Sequence, residues 1–206
     1  LIINTKSYVD SMLQVVSGKN VSAKDIEEAV LLDKLSYPEQ YRGNVDDCLK
    51  WAKKNPDIYV MLRDSQTGRI IAYANIMPLK REQYYVIRSG KFIDTGTTPE
   101  MISTYDSKSP NLIYFSSIVI HPEYRGIKVF KRLMDAITTK FVELSENGIF
   151  IQKMLADAVS PSGEKFCRLL GMEKICDSDH GSAIYEVSAP MPMFGVLSKT
   201  MAASLF

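Results

Sequence analysis

From Ile118 to Phe130 the chain reads Ile-Val-Ile-His-Pro-Glu-Tyr-Arg-Gly-Ile-Lys-Val-Phe: an apolar run stops at Pro122, turns through Arg125-Gly126 and starts a helix. No other stretch restricts the chain as much, because a strand delivered straight into a helix start is also a place for an anion. The first turn of a helix has backbone N–H groups without intrahelical partners and the positive end of the macrodipole, so it holds a phosphate without any special side chain. Arg125 adds a forked positive charge there. An ordinary strand-to-helix turn has the same local chemistry, so the remaining sequence must supply the context.

That context alternates between helical and extended periodicities. Ser22 caps a segment whose apolar positions Ile26, Ala29, Val30, Leu32 and Leu35 fall near helical spacing and which ends by Pro38. Asn44 caps a second helix with the stripe Val45, Cys48, Leu49 and Ala52, ending before Asn55-Pro56. Ile58 to Arg63 and Ile70 to Met77 are β-rich and joined by Asp64-Ser65-Gln66-Thr67-Gly68, which predicts a hairpin. Residues 78–110 mix charge with Tyr84, Tyr85, Gly90 and Gly96 and read as a long insertion with a short helix around Glu100 to Ser103. Such loops serve function or pack irregularly. Leu112 to Ile120 is nearly continuous in apolar character, as a central strand covered on both faces requires.

Beyond the turn, Phe130, Leu133, Ile137, Phe141 and Leu144 recur at helical steps, and Asn147-Gly148 closes that helix. Ile149 to Val159 reads as a strand. Ser160-Pro161 then caps a short helix with Phe166, Leu169 and Leu170 on its buried face and Gly171 at its end. Met172 to Cys176 and Ala183 to Val187 form a last pair of strands around Asp179-His180-Gly181. Near the N-terminus, Tyr8, Met12, Leu13, Val15 and Val16 suit a strand or a short helix. The apolar tail from Pro190 packs on the domain or on a second copy as a homodimer contact. The expected organisation is thus an N-terminal segment over 1–21, an α/β domain of the α+β kind over 22–188 with 78–110 as a substrate-region insertion, and a tail over 189–206.

Composition narrows the function classes. At 206 residues and 46% hydrophobic, the chain has enough apolar surface for one substantial core. Its 25 basic and 24 acidic residues leave a formal charge of +1, so there is no global pull toward nucleic acid or membrane, and any anion binding is local. Trp51 and the tyrosines do not interleave with a basic cluster, and no apolar run approaches a membrane span. Cys48, Cys167 and Cys176 lack metal-ligand spacing and cannot all pair, which suits a reducing, cytoplasmic setting.

The order of elements resembles the GCN5-related N-acetyltransferase superfamily over roughly residues 22–188: a mixed central sheet flanked by helices, with a strand-to-helix pyrophosphate turn. Ile120-His121-Pro122-Glu123-Tyr124-Arg125-Gly126 is similar to its V-x-P-x-x-(R/Q)-x-x-G-x-(G/A) segment, and Phe166-Cys167-Arg168-Leu169-Leu170-Gly171-Met172 to a later F-Y-x-x-L-G-F segment. The resemblance implies that backbone groups of Ile118, Val119 and Ile120 pair with the pantetheine arm of acetyl-CoA. It also implies that amides of Arg125, Gly126, Ile127, Lys128, Val129 and Phe130 cradle the pyrophosphate. Lys128 and Phe130 stand where the pattern has small residues that let a pyrophosphate approach the backbone. Lys128 offers charge instead, while the Phe130 ring either fills the cofactor space or points into the core.

Acetyl transfer to an amine needs a neutral amine, yet an alkylamine is mostly protonated at neutral pH, so a base or relay is expected. Asp157, the carboxylate on the strand before Ser160, is the candidate base or a cap for the following helix. Cys167 stands at the position of the family's tyrosine proton donor, as a donor or as an inert buried thiol. Ser160 replaces an asparagine often seen there, and capping alone already accounts for it. The leading expectation is an acetyl-CoA-dependent N-acetyltransferase in which a primary amine attacks the thioester directly in a ternary complex. A module that binds acyl-CoA without turnover, acting as a sensor or interaction subunit, is the alternative. Cysteine-dependent hydrolysis through Cys167, His180 and Asp177 or Asp179 is a remote third.

Overall fold

A computed structural model describes residues 12–189. Residues 1–11 and the tail from residue 190, with the dimer contact expected of it, lie outside the described residues.

Five helices and seven strands account for the described chain. β1 (Leu13–Ser17) leads through a turn to α1 (Ala23–Ser36) and α2 (Val45–Lys54). Both helices start where their capping chemistry places them: the Ser22 hydroxyl accepts from Asp25 N while the Asp25 carboxylate accepts from Ser22 N, and Asn44 accepts from Asp47 N. β2 (Tyr59–Asp64) and β3 (Ile70–Leu79) form the hairpin, followed by α3 (Arg81–Arg88) and β4 (Asn111–Ile120). α4 (Ile127–Glu146), β5 (Ile151–Ala158), α5 (Pro161–Leu169), β6 (Glu173–Asp177) and β7 (Ala183–Ser188) complete the chain.

The strands make one sheet in the order β1-β2-β3-β4-β5-β7-β6. Only β4 and β5 pair in parallel, as a connection through the long helix α4 demands. Because β1 pairs with β2, the sheet begins ahead of residue 22. Two hydrophobic layers cover its faces. Phe130, Leu133, Met134 and Ile137 of α4 pack with Phe166 and Cys167 of α5 on one side. On the other, Ile26, Ala29 and Val30 of α1 and Trp51 of α2 join Tyr84 and Ile87 of α3. β3 lies between both layers and is buried at every position.

The 78–110 segment departs from the sequence reading. Its first part is helix α3, and the short helix expected near Glu100 is a single 3-10 turn at Pro99–Met101. α3 is too short to display a helical period, and what holds it is tertiary. Tyr84 and Ile87 are fully buried, and the Tyr84 hydroxyl and Arg88 Nε each donate to Glu186 of β7 at 2.9 Å. The next turn, Asp94–Gly96, carries Asp94 back to the middle of the sheet, where its carboxylate accepts from Ser116 Oγ at 3.1 Å.

Candidate active site

Pairing between β4 and β5 ends at Phe115 and Ala156, although β4 runs on to Ile120 and β5 to Ala158. β5 stays with β7 as far as Ala158, and β4 stays with β3, so the sheet opens between its two central strands. A β-bulge where Asn75 and Ile76 face Ser117 and Phe115 coincides with this opening. The result is a cleft of about 500 Å³ between β4 and β5, lined by Ser116 to Ile120, Ala156 to Ser160, Arg125, Phe130, Phe166 and Cys167.

Alternation along β4 decides which backbone groups face that cleft. In an antiparallel ladder every second residue turns its N–H and C=O away from its partner. His121 N donates to Ile71 O on β3, so Ile118 and Ile120 point the other way. Both are already engaged: Ile118 N donates to the Tyr37 hydroxyl at 3.3 Å, that hydroxyl lies 3.1 Å from Ile118 O, and Arg125 Nε donates to Ile120 O at 3.4 Å. Val119 faces β3 and is buried.

The start of α4 is bare. Gly126 provides no side-chain cap, no acidic residue stands in the first turn, and Phe130 N is the first amide to find an intrahelical partner, Gly126 O. Ile127, Lys128 and Val129 thus open the helix with amides no side chain caps, and Lys128 and Arg125 are exposed beside them. At Gly126 a Cβ would meet nothing within 4 Å, and its extended backbone suits any residue. Phe130 is buried with its ring edge-on to Phe166 at 6.3 Å, so the ring belongs to the α4–α5 core and forms a wall of the cleft. Ser160 Oγ accepts from Gly163 N and caps α5 at the rim.

On the opposite side of β4, under the loop after α1, lies a second cavity of about 60 Å³ that shares Tyr37, Ser116, Ser117, Asp157 and Val159 with the cleft. A chain of hydrogen bonds runs through it. The Tyr37 hydroxyl is 3.1 Å from Ser117 Oγ, Ser117 Oγ is 3.0 Å from the Tyr73 hydroxyl, and that hydroxyl donates to Asp33 Oδ1. Burial raises the Asp33 carboxyl to about 6 against the lowering hydrogen bonds from Tyr73 and Gly43 N, while burial pushes the Tyr37 hydroxyl up to about 12. Asp94 is pushed up to about 7, first by burial and then by the neighbouring charge of Asp157.

Asp157 lines both cavities, and its Oδ2 lies 2.9 Å from His180 Nε2. The structure therefore pairs His180 with Asp157 and not with Asp177 or Asp179, because the β6–β7 turn folds back over the end of β5. His121 instead accepts from Glu123 N at the start of the turn. Cys167 faces the cleft, yet burial pushes its thiol up to about 12, which makes it a weaker acid than an ordinary thiol and disfavours the proton-donor role. Sequence reading did not find Asp33, Tyr37, Tyr73 or Asp94. Their only signal was polar character inside otherwise apolar stretches, and nothing in their spacing links them.

No protein-family model matches this chain, and no curated protein matches it in sequence. Solved structures do match it in shape. The polyamine N-acetyltransferase of Drosophila melanogaster, an enzyme that forms N-acetylagmatine, superposes with a TM-score of 0.53 at 12% identity, over 85% of this chain and 99% of that one. The loading GNATL domain of CurA from Lyngbya majuscula gives 0.57 at 12% identity, over 85% and 97%. Naa50 of Arabidopsis thaliana, in complex with the bisubstrate analogue CoA-Ac-MVNAL, gives 0.54 at 10% identity, over 86% and 99%. The fold is that of the GCN5-related N-acetyltransferases. Among the described residues, no helix is long and apolar enough to cross a membrane.

Proposed function

We propose that the protein is an acetyl-CoA-dependent N-acetyltransferase. The observation that carries this reading is the coincidence, in one cleft, of an unpaired β4 edge and an uncapped 20-residue helix start. The edge at Ile118 and Ile120 matches the need of an amide-bearing arm for a strand partner, and the α4 amides with Arg125 and Lys128 suit a pyrophosphate. Arg125 and Tyr37, which hold the edge carbonyls now, yield those groups when the arm adds as a strand. Known structures add support of the same kind, since one superposed protein is a polyamine N-acetyltransferase and another holds a bisubstrate analogue of coenzyme A.

Acetyl-CoA supplies the acetyl thioester as cosubstrate. The protein supplies a proton path. The attacking nitrogen loses a proton to Tyr37 as the Tyr37 proton passes to Ser117, the Ser117 proton to Tyr73 and the Tyr73 proton to Asp33. Each hydroxyl gives one proton and receives one, and the proton ends on Asp33, neutralising the one group of this hydrogen-bonded chain that titrates near neutrality, while coenzyme A leaves as the thiolate. The Ile118 N–H lies beside Tyr37 and can polarise a carbonyl placed there. Asp157 with His180 is a second acceptor at the edge of the same site.

Isothermal titration with coenzyme A tests the reading, and absence of binding at millimolar concentration overturns it. Thiol release with a panel of amines then separates an enzyme from a binding module, because only turnover releases thiol. Gly126→Ala is a sharper probe. In the protein alone the added methyl meets nothing, so the melting temperature is expected to hold, whereas crowding of a pyrophosphate at the helix start lowers coenzyme A affinity by roughly tenfold.

A further inference from the structure

We infer that the small cavity beneath Tyr37 receives the charged end of a short aliphatic diamine, so that the acceptor is an amine carrying a second nitrogen that stays protonated when bound. The choice of reacting nitrogen rests on the transferase reading above; the cation site itself does not.

Three carboxyl groups, from Asp33, Asp94 and Asp157, line this one cavity, and among the described residues no lysine or arginine lines it. They come from three separate parts of the fold, the end of α1, the turn after α3 and β5, so their meeting is a tertiary construction. Two acceptor atoms there lack donors: Asp157 Oδ1 and Asn75 Oδ1 are buried without hydrogen-bond partners, the Asp157 side chain being 4% exposed and Asn75 3%. Asp157 Oδ2 is shared with His180 and Asp33 feels the charge of Arg42, but the buried acceptors in want of donors and the Asp94 carboxyl, which accepts from the Ser116 and Tyr114 hydroxyls, call for the same ligand feature, a cationic head with several N–H groups. Trp51 also lines the cavity, with its indole N–H donated to Thr97 O. Burial raises both the Asp33 and the Asp94 carboxyl, and the neighbouring Asp157 charge adds to the rise at Asp94.

A single amine does not satisfy the site. The nitrogen that attacks a thioester must be neutral, so it cannot also be the charge that the carboxyls hold; a second cationic centre has to do that. The volume of about 60 Å³ has room for an ammonium head and the first carbons of its chain. Tyr37, Ser117 and Asp157, which face both cavities, then direct the aliphatic remainder and the other nitrogen toward the cleft.

Calorimetry of the protein without coenzyme A, at pH 8, compares 1,4-diaminobutane with butylamine. The diamine is expected to bind at least about tenfold more tightly, and Asp94→Asn to remove that preference while coenzyme A binding persists. Equal affinities in the unaltered protein overturn the inference, as does a preference that survives in both Asp94→Asn and Asp157→Asn. If either variant fails to fold, the other variant and the comparison in the unaltered protein still decide. A protein that prefers the diamine but binds no coenzyme A keeps the cation site and loses the transferase reading. One that acetylates amines without preferring the diamine does the reverse.

Discussion

Asp33→Asn is expected to slow amine acetylation by roughly 10²–10³-fold while coenzyme A affinity and folding are retained. Asp33 ends the hydrogen-bond chain that starts at the β4 edge, and it is the member of that chain that takes up and releases a proton near neutral pH. Asparagine preserves the acceptor for the Tyr73 hydroxyl but cannot take up a proton, so geometry survives and transfer does not. Folding should not suffer. A carboxyl raised by burial contributes stability that is complete below about pH 4 and is lost as pH rises through about 6, so at pH 8 the neutral amide removes a charge that opposed folding. The decisive measurement is the pH profile of kcat/KM with a fixed amine. The unaltered protein should gain activity as pH rises through about 6, when Asp33 ionises, and the variant should lose that limb. Ser117→Ala, which breaks the chain in its middle and leaves Asp33 in place, should lower kcat more than it changes KM. A variant with the same profile as the unaltered protein would remove Asp33 from the mechanism.

The largest loss of stability is expected at Glu186. Its carboxylate is buried on β7 and accepts from Tyr84 and Arg88 of α3 at 2.9 Å each and from Lys153 of β5 at 3.2 Å. Glu186→Ala leaves a fully buried tyrosine hydroxyl without its acceptor and two cations without their counter-charge, a cost of about 2–3 kcal/mol. For a chain of this size that corresponds to a fall of roughly 5–10 °C in melting temperature. Burial raises the Glu186 carboxyl, but the hydrogen bonds from Arg88, Tyr84 and Lys153 outweigh it and hold the group below the usual carboxylate range. Its stabilisation is thus present above that range and lost as pH falls through the depressed value. Thermal melts should show the full gap between the two proteins at pH 7 and a closing gap below about pH 4. Because α3 is anchored here, its amides should lose hydrogen-exchange protection first. A gap independent of pH would show that the alanine acts through packing and not through charge.

The elements legible in the sequence are those with local causes. Ser22, Asn44 and Ser160 place helix starts because a side-chain oxygen satisfies an amide two or three residues on, whatever the rest of the chain does. The Ile118 to Phe130 stretch specified strand, turn and helix for the same reason, and its lack of a capping side chain could be read directly. Helix α3 could not, since it is held by Glu186 from β7, far along the chain. The geometry of the candidate site was equally hidden. Asp33 and Tyr73, or Asp94 and Asp157, carry no periodicity that links them. They meet because α1 lays Asp33 against Tyr73 of β3, the turn after α3 returns Asp94 to Ser116 of β4, and β5 leaves β4 after Phe115.

What the sequence alone determined, then, is where the chain extends, turns and coils, since dihedral preferences and capping act over a few residues. Only the tertiary structure decided that the sheet opens at its centre, that Tyr37 closes on the exposed edge, and that three carboxyls share one small cavity. Those outcomes follow from sheet order, register and the burial of distant groups together. Burial and hydrogen bonding to remote partners, and not the residues as such, turn ordinary aspartates and tyrosines into a hydrogen-bonded chain that ends on a raised carboxyl.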